Sequence, residues 1–392
     1  MPRDGGGGTL GIDAHRRVGG VTVDPRNLPE MPELMIAGPA ELHEKDLALL
    51  GHQVIAHFGD AWTEIHRQTL DLLGELLGAE DPYLIPGTGT TCLDAGVLNL
   101  FEAGQRVVVA NTGFFGTRLM EVARCHHLEV TEVPVDVGAP IDPQRIAAAL
   151  HGADGLLTVH VETATGVRHP VEEIARVARD AGAVYLVDGI ASVGGELVNV
   201  ESMGIDALVT GTQKGLESPP GLGVLALSSR GRERVGRRSA GPESWYLDLQ
   251  VWDKYRTEWA SWHPHPVTMP TNLVLVLASS LRRILETGVE SWVARRAELA
   301  KHLREGLRNL GLEPVPRPGW EANLVVAAWA EEPAAIQRHL LQEEGIMISG
   351  GLVPTMGKAI RIGLMGRTAT EEMVDKVVRG VGTALAVRSP RD

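Results

Sequence analysis

From residue 106 onward the chain alternates short, unbroken apolar runs with stretches in which apolar residues recur every three or four positions. The runs cover 106–110, 128–133, 155–160, 183–188, 207–211 and 223–227. An apolar run without in/out alternation belongs to a strand covered on both faces, so these runs predict a mostly parallel sheet with helices on either side. The stretches between them carry helix signals. Asp142 precedes Pro143 as a cap would, and 171–181 places Ile174, Val177 and Ala178 at helical spacing before Gly182. In a sheet of this class, ligands bind at the carboxyl ends of the strands.

A different pattern follows. Two long helices are predicted over 270–288 and 291–310, the first with Leu273, Leu277, Leu281 and Leu285 on one stripe. Beyond Gly311 come strand candidates at 322–328 and 359–362 and helix candidates at 333–344 and 370–386, the last opening on Thr370, Glu371 and Glu372. The expected organisation is a mobile arm over 1–33, rich in glycine and proline, then a large α/β domain over 34–280 and a smaller α+β domain over 281–392.

Composition narrows the chemistry. The 392 residues carry 37 Lys+Arg against 50 Asp+Glu, a net charge of -13, which argues against sequence-independent nucleic-acid binding and favours small-molecule work. Only Cys92 and Cys125 are present, both in segments that read as buried, so neither a disulfide framework nor a cysteine-rich metal site is expected. His57, His66, His263 and His265 lack a metal-ligand arrangement. No apolar run approaches the ~20 residues that cross a bilayer, and residues 1–20 lack a signal-peptide apolar region. The expectation is a cytoplasmic protein with no membrane partner.

The strand ends carry the candidate chemistry. Lys214 follows the run 207–211 among glycines and prolines, where desolvation would leave a nucleophilic neutral amine; alone, it could equally be a surface lysine in a turn. Asp188 ends the preceding strand, where a carboxylate can hold a pyridinium proton but also occurs at Mg²⁺ or ribose sites. Thr88, Gly89 and Thr90, in Pro86-Gly87-Thr88-Gly89-Thr90-Thr91 ahead of a helical pattern, form a phosphate-cradle candidate that matches neither nucleotide-binding fingerprint. Phe114 and Phe115 end another strand, where a ring can stack on a flat cofactor, and His160 to Gly166 is a further strand end rich in hydroxyls. Read alone, Arg361 is one arginine in a β-like segment.

Leu186-Val187-Asp188-Gly189-Ile190-Ala191-Ser192-Val193-Gly194-Gly195, Gly211-Thr212-Gln213-Lys214, Pro219-Pro220-Gly221, and Gly350-Gly351-Leu352 with Gly357 to Gly363 occur in this order. With them, the chain resembles a class V aminotransferase of pyridoxal-phosphate fold type I, on the alanine–glyoxylate and serine–pyruvate branch, from about Gly38 to the C-terminal helix. The resemblance implies a seven-stranded-type, mostly parallel sheet with helices on both faces, pyridoxal 5'-phosphate as cofactor, and a homodimer with its active site at the subunit interface. It implies that Lys214 forms the Schiff base and shuttles the proton, that Asp188 pairs with the pyridine nitrogen, and that Phe115 and Ile190 pack on opposite ring faces. Thr163 would contact the ring hydroxyl region, Thr88, Gly89, Thr90 and Gln213 would hold the phosphate, and Arg361 would take the substrate carboxylate, with Gly38 on the substrate side.

The implied reaction is ping-pong transamination from a small amino acid, alanine or serine, to a 2-oxo acid such as glyoxylate or pyruvate. A lyase, aldolase or specialised biosynthetic enzyme on the same scaffold is the alternative, and a non-catalytic cofactor-binding module a more distant one. Three segments depart from the family pattern. Trp262-His263-Pro264-His265 stands where relatives reach a neighbouring subunit's phosphate, with His265 expected to contribute; Glu217 stands where relatives carry a small or neutral side chain and would disfavour an acidic substrate if it faced the pocket; and the leading segment reads Ala37-Gly38-Pro39-Ala40. Trp245, Trp252 and Trp259, spaced by seven, suggest one buried helix face.

Overall fold

The computed structural model describes residues 31–238 and 241–387; the expected arm lies, up to residue 30, outside the described residues. Among the described residues thirteen strands form: β1 Glu33–Met35, β2 Tyr83–Gly87, β3 Arg106–Asn111, β4 Glu129–Pro134, β5 Gly155–Val159, β6 Val161–Glu162, β7 Val167–Arg168, β8 Val184–Asp188, β9 Ala207–Gly211, β10 Gly221–Leu227, β11 Val325–Trp329, β12 Ile346–Gly350 and β13 Ala359–Gly363. Seven of them make one sheet in the order β2-β10-β9-β8-β5-β3-β4. Only β10 runs antiparallel to its neighbours; the other pairings are parallel.

The unbroken apolar runs are explained by the two cores they serve. Val184 and Leu186 of β8 enter one apolar cluster, while Tyr185 and Val187 enter another on the opposite face. The first cluster is closed by residues of the helices Gly89–Leu100 and Phe114–Cys125, such as Leu93 and Leu119; the second by residues of Asp60–Leu77, Val171–Asp180 and Thr271–Thr287, such as Leu73, Ile174 and Leu277. With both faces covered, alternate residues cannot be polar.

The caps act as their residue types predict. The Asp142 carboxylate accepts from the Gln144 amide at 2.9 Å with Pro143 in the first turn, and the Thr370 hydroxyl accepts from the Met373 amide. The two predicted long helices are Thr271–Thr287 and Val289–Asn309, separated only by Gly288 at φ +83°. A third apolar cluster lies around a four-stranded sheet of order β1-β12-β13-β11, packed by the helices Val289–Asn309, Pro333–Glu343 and Glu371–Ala386.

Two expectations are corrected. Trp245, Trp252 and Trp259 do not share a helix face: the helix is Leu249–Glu258, capped by Asp248, so only Trp252 lies within it and is buried, while Trp245 and Trp259 flank it, exposed. Cys125 is exposed, because it ends its helix on the solvent side, whereas Cys92 is buried. Replacing the cap Asp142→Ala should lower stability by about 1 kcal/mol in urea unfolding, the usual effect of losing an N-cap acceptor; a loss several times larger would show that this carboxylate does more than cap.

Candidate active site

Lys214 lies three residues beyond the end of β9, in a turn held by Thr212, whose hydroxyl donates to the Pro219 carbonyl at 2.5 Å and whose amide donates to the Leu222 carbonyl at 3.3 Å. The lysine amine donates to the Ala37 carbonyl. A Cβ on Gly38, at φ +104°, would stand 2.6 Å from Lys214 Nζ, so only glycine lets the leading segment close over the lysine. Burial, reinforced by the Arg361 charge and opposed by Asp188, pushes the amine down to about 8.

Asp188 ends β8, one strand over from β9, and is buried. Its Oδ1 accepts from the Ile190 amide at 2.9 Å. Burial pushes the carboxyl up to about 6 against that hydrogen bond. The acid and the lysine each feel the other's charge, as two strand ends on adjacent positions in a sheet must when water is excluded.

The glycine-threonine turn meets the same strand ends. Thr88 caps the helix Gly89–Leu100 through a reciprocal pair: its amide donates to Thr91 Oγ1 at 3.1 Å and its hydroxyl accepts from the Thr91 amide. By helix geometry the first-turn amides of Gly89 and Thr90 have no intrahelical acceptor. A Cβ on Gly89 would lie 2.6 Å from the Ile190 side chain and 3.2 Å from the Gly211 amide nitrogen; one on Gly211 would lie 2.6 Å from Gln213 Oε1. A Cβ on either glycine would also press on the other's backbone nitrogen at 3.1–3.2 Å, so the helix start, the end of β9 and Gln213 converge. Gln213 Oε1 is buried with no hydrogen-bond partner among the described residues.

Phe115 opens the helix Phe114–Cys125, with Arg118 stacked 4.8 Å from its ring centroid. Thr163 is buried, and its carbonyl accepts from Arg361 Nη1 at 3.2 Å. Arg361 Nε donates to the Gly350 carbonyl at 2.7 Å, so this guanidinium, on β13, is braced from two sides. It is 7% exposed, so it is not a surface arginine. Lys214, Asp188, Gly89, Ile190, Gln213, Gly38, Thr163 and Arg361 are thus linked by direct contacts or by mutual charge.

Two expected residues stand apart. His265 accepts from Trp62 Nε1 at 2.7 Å on Nε2, which leaves Nδ1 protonated and donating to the Val267 carbonyl at 2.7 Å. With both ring nitrogens engaged inside its own chain, His265 has no donor left for a phosphate, and burial pushes its pKa down to about 3. Glu217 does not face the pocket; it is fully buried and paired with Arg296 at 2.5 Å.

Two residues escaped the sequence reading. Glu162, in the strand end noticed for its hydroxyls, is fully buried and collects the Thr112 hydroxyl at 3.0 Å and the amides of Phe115 at 3.1 Å, Gly116 at 3.3 Å and Ala164 at 3.0 Å. It anchors the start of the Phe115 helix; burial raises its pKa, and those hydrogen bonds oppose the rise. Arg118 was visible as a cation one turn beyond the paired phenylalanines, and its charge reaches both Lys214 and Asp188.

The family described as aminotransferase class-V matches residues 40–377. An uncharacterized aminotransferase of Methanocaldococcus jannaschii is 33% identical, over 87% of this chain and 89% of its own. Among solved structures, an alanine–glyoxylate aminotransferase from Nostoc is similar with a TM-score of 0.87 at 28% identity, covering 93% of this chain and 98% of its own. A ureidoglycine–glyoxylate aminotransferase from Bacillus subtilis also reaches 0.87, at 27% identity over 93% and 95%. Glu162→Gln, which turns one acceptor into a donor facing amides, should destabilise the protein by about 1.5–3 kcal/mol in urea unfolding; unchanged stability would show that this cluster does not hold the helix start.

Proposed function

The chain belongs to the class-V aminotransferase family and is a pyridoxal-phosphate-dependent aminotransferase, and from this premise we propose that it transfers nitrogen from a small amino acid, of the alanine or serine type, to a 2-oxo acid such as glyoxylate or pyruvate. The observation that carries the reading is the part-buried Lys214 amine, which donates to the Ala37 carbonyl under Gly38 and is pushed down to about 8 by desolvation, with the Arg361 and Asp188 charges acting on it in opposite senses. Names of relatives support the substrate class: proteins from Nostoc and Oryctolagus cuniculus are alanine–glyoxylate aminotransferases, the latter 29% identical over 90% of this chain and 92% of its own.

The residues fit the cofactor. The Gln213 amide, whose Oε1 and Nε2 exchange by a flip, stands beside Gly211 with its buried Oε1 end unmet, as a phosphate ligand would require. In this reading Gly89, Thr90, Gln213 and the Thr88 hydroxyl hold the phosphate, the hydroxyl still free to donate while it accepts from Thr91. Asp188 would hold the ring nitrogen, Phe115 and Ile190 would pack on the ring, and Thr163 would contact its hydroxyl side.

Pyridoxal phosphate, when bound, supplies an aldehyde that condenses with amines and a ring that accepts electrons. Lys214 would contribute the nucleophilic amine, more of it uncharged near neutral pH than for a solvated lysine, and its Nζ would carry the proton to and from the substrate Cα. The buried Asp188 carboxylate would keep the ring nitrogen protonated by accepting its N–H. Arg361 binds the substrate carboxylate through the part of its guanidinium not used by Gly350 and Thr163, and Gly38 leaves room above Lys214.

A homodimer with the site at its interface is supported by a run of exposed rings. Trp245, Tyr255, Trp259, Trp262 and Phe58 touch in sequence, with centroids 5.6–6.5 Å apart, and Trp245, Trp259, Trp262 and Phe58 are each about half exposed. A monomer rarely leaves such a patch in water. No described helix is long and apolar enough to cross a membrane, and a cytoplasmic location is part of the same reading.

Mixing the cofactor-bound protein with single amino acids should convert the cofactor absorption to its amine form with alanine or serine, and glyoxylate or pyruvate should restore it. Conversion by acidic donors alone would overturn the small-donor reading; conversion that no 2-oxo acid reverses would overturn transamination. Lys214→Ala should lose the visible absorption and turnover together. In the wild-type apoprotein the rate of cofactor capture should rise with pH to a midpoint near 8, since capture needs the neutral amine; a rise only near 10.5, the value of a free lysine, would refute the depressed amine.

A further inference from the structure

Glu217 is three residues beyond Lys214, at φ +50°, in the left-handed region that a non-glycine residue adopts only when its surroundings hold it there. Its amide donates to the Lys214 carbonyl at 2.9 Å, so its backbone is part of the lysine turn. Its carboxylate is saturated. Oε1 accepts from the Gly366 amide at 2.8 Å and from Arg296 Nη2 at 2.5 Å; Oε2 meets His43 Nε2 at 3.1 Å and lies 3.8 Å from Arg283 Nη2. Arg283 in turn pairs with the buried Asp46 at 3.0 Å.

The partners come from the segments that border the site. His43 follows the leading segment that carries Ala37 and Gly38, the two residues against the Lys214 amine. Gly366 lies five residues after Arg361, just past β13. The same three segments are joined by their backbones: the Ala40 amide donates to the Gln213 carbonyl at 2.8 Å, and the Arg367 amide to the Glu41 carbonyl at 3.1 Å. One anion therefore sits where lysine turn, leading segment and Arg361 strand exit meet. A neutral side chain there would leave the buried Arg296 facing no counter-charge.

We infer that Glu217 is a positioning residue, which fixes Lys214 relative to the leading segment and to the strand of Arg361 without touching cofactor or substrate. Burial opposes ionisation, yet the hydrogen bonds from His43 and Arg296 hold this carboxyl down to about 2. It stays charged over the whole working range. The inference rests on the cofactor reading given above.

Titrating each apoprotein with pyridoxal phosphate, followed by quenching of tryptophan fluorescence, separates positioning from bulk stability. Glu217→Gln should weaken cofactor affinity about tenfold or more, as small misplacements of a reacting group do. Glu217→Asp, which keeps the charge and shortens the reach, should recover most of the melting temperature but less of the affinity. A Glu217→Gln protein that melts earlier yet binds the cofactor like wild type overturns the inference. If Glu217→Gln does not fold, His43→Ala decides, because His43 is partly exposed and its loss leaves both arginines paired: affinity about threefold weaker at an unchanged melting temperature is expected, and wild-type affinity overturns the inference. Wild-type apoprotein that takes up no pyridoxal phosphate would instead sink the cofactor reading, leaving the role of Glu217 in the lysine turn to be judged by proteolysis of the 38–60 segment, faster in Glu217→Gln if the clamp exists and unchanged if it does not.

Discussion

Everything in this protein depends on keeping an amine and a carboxyl group dry at the ends of two adjacent strands. In water Lys214 and Asp188 would both be charged and indifferent to each other. Buried, each is pushed toward its neutral form, the amine to about 8 and the acid to about 6, and each resists that push by offering the other an opposite charge. Near neutral pH the acid is therefore ionised, as an acceptor for a ring N–H must be, while the amine is neutral more often than a solvated lysine, as a nucleophile and proton carrier needs.

Keeping it dry requires a sheet covered on both faces and a lid of chain over the lysine. The first is supplied by the two apolar clusters on either side of the seven strands, the second by Ala37 and Gly38, whose approach only a glycine allows. Buried carboxylates then brace the walls. Glu162 gathers the hydroxyl and amides at the start of the Phe115 helix, and Glu217 gathers the cations and the amide around the lysine turn. Both are affordable in the interior because their oxygens are met, but they differ in balance: burial dominates at Glu162 and its pKa rises, while partners dominate at Glu217 and its pKa falls.

Much of this was legible along the chain. Strands such as β8 and β9 announced themselves as unbroken apolar runs, because a doubly covered strand has no face to give to water, and Asp142 and Thr370 marked helix starts because a cap is a local interaction. The readings that failed were about direction and company. The spacing of Trp245, Trp252 and Trp259 suggested a shared face, but Asp248 starts the helix after the first of them; His265 was expected to reach a phosphate, but Trp62, about two hundred residues away in sequence, donates to its ring.

The sequence by itself determined the fold class, through its unbroken apolar runs, and pointed through a family resemblance to the cofactor, since a glycine-threonine turn before a helix, an acid ending one strand and a lysine after the next are local features that survive in one dimension. Only the tertiary structure decided what each charge does. Glu217 and Glu162 are indistinguishable from solvent-facing acids in the sequence, because what sets a buried carboxylate's role is which donors from remote segments close on it, Gly366 and Arg296 on one, Thr112 and Phe115 on the other.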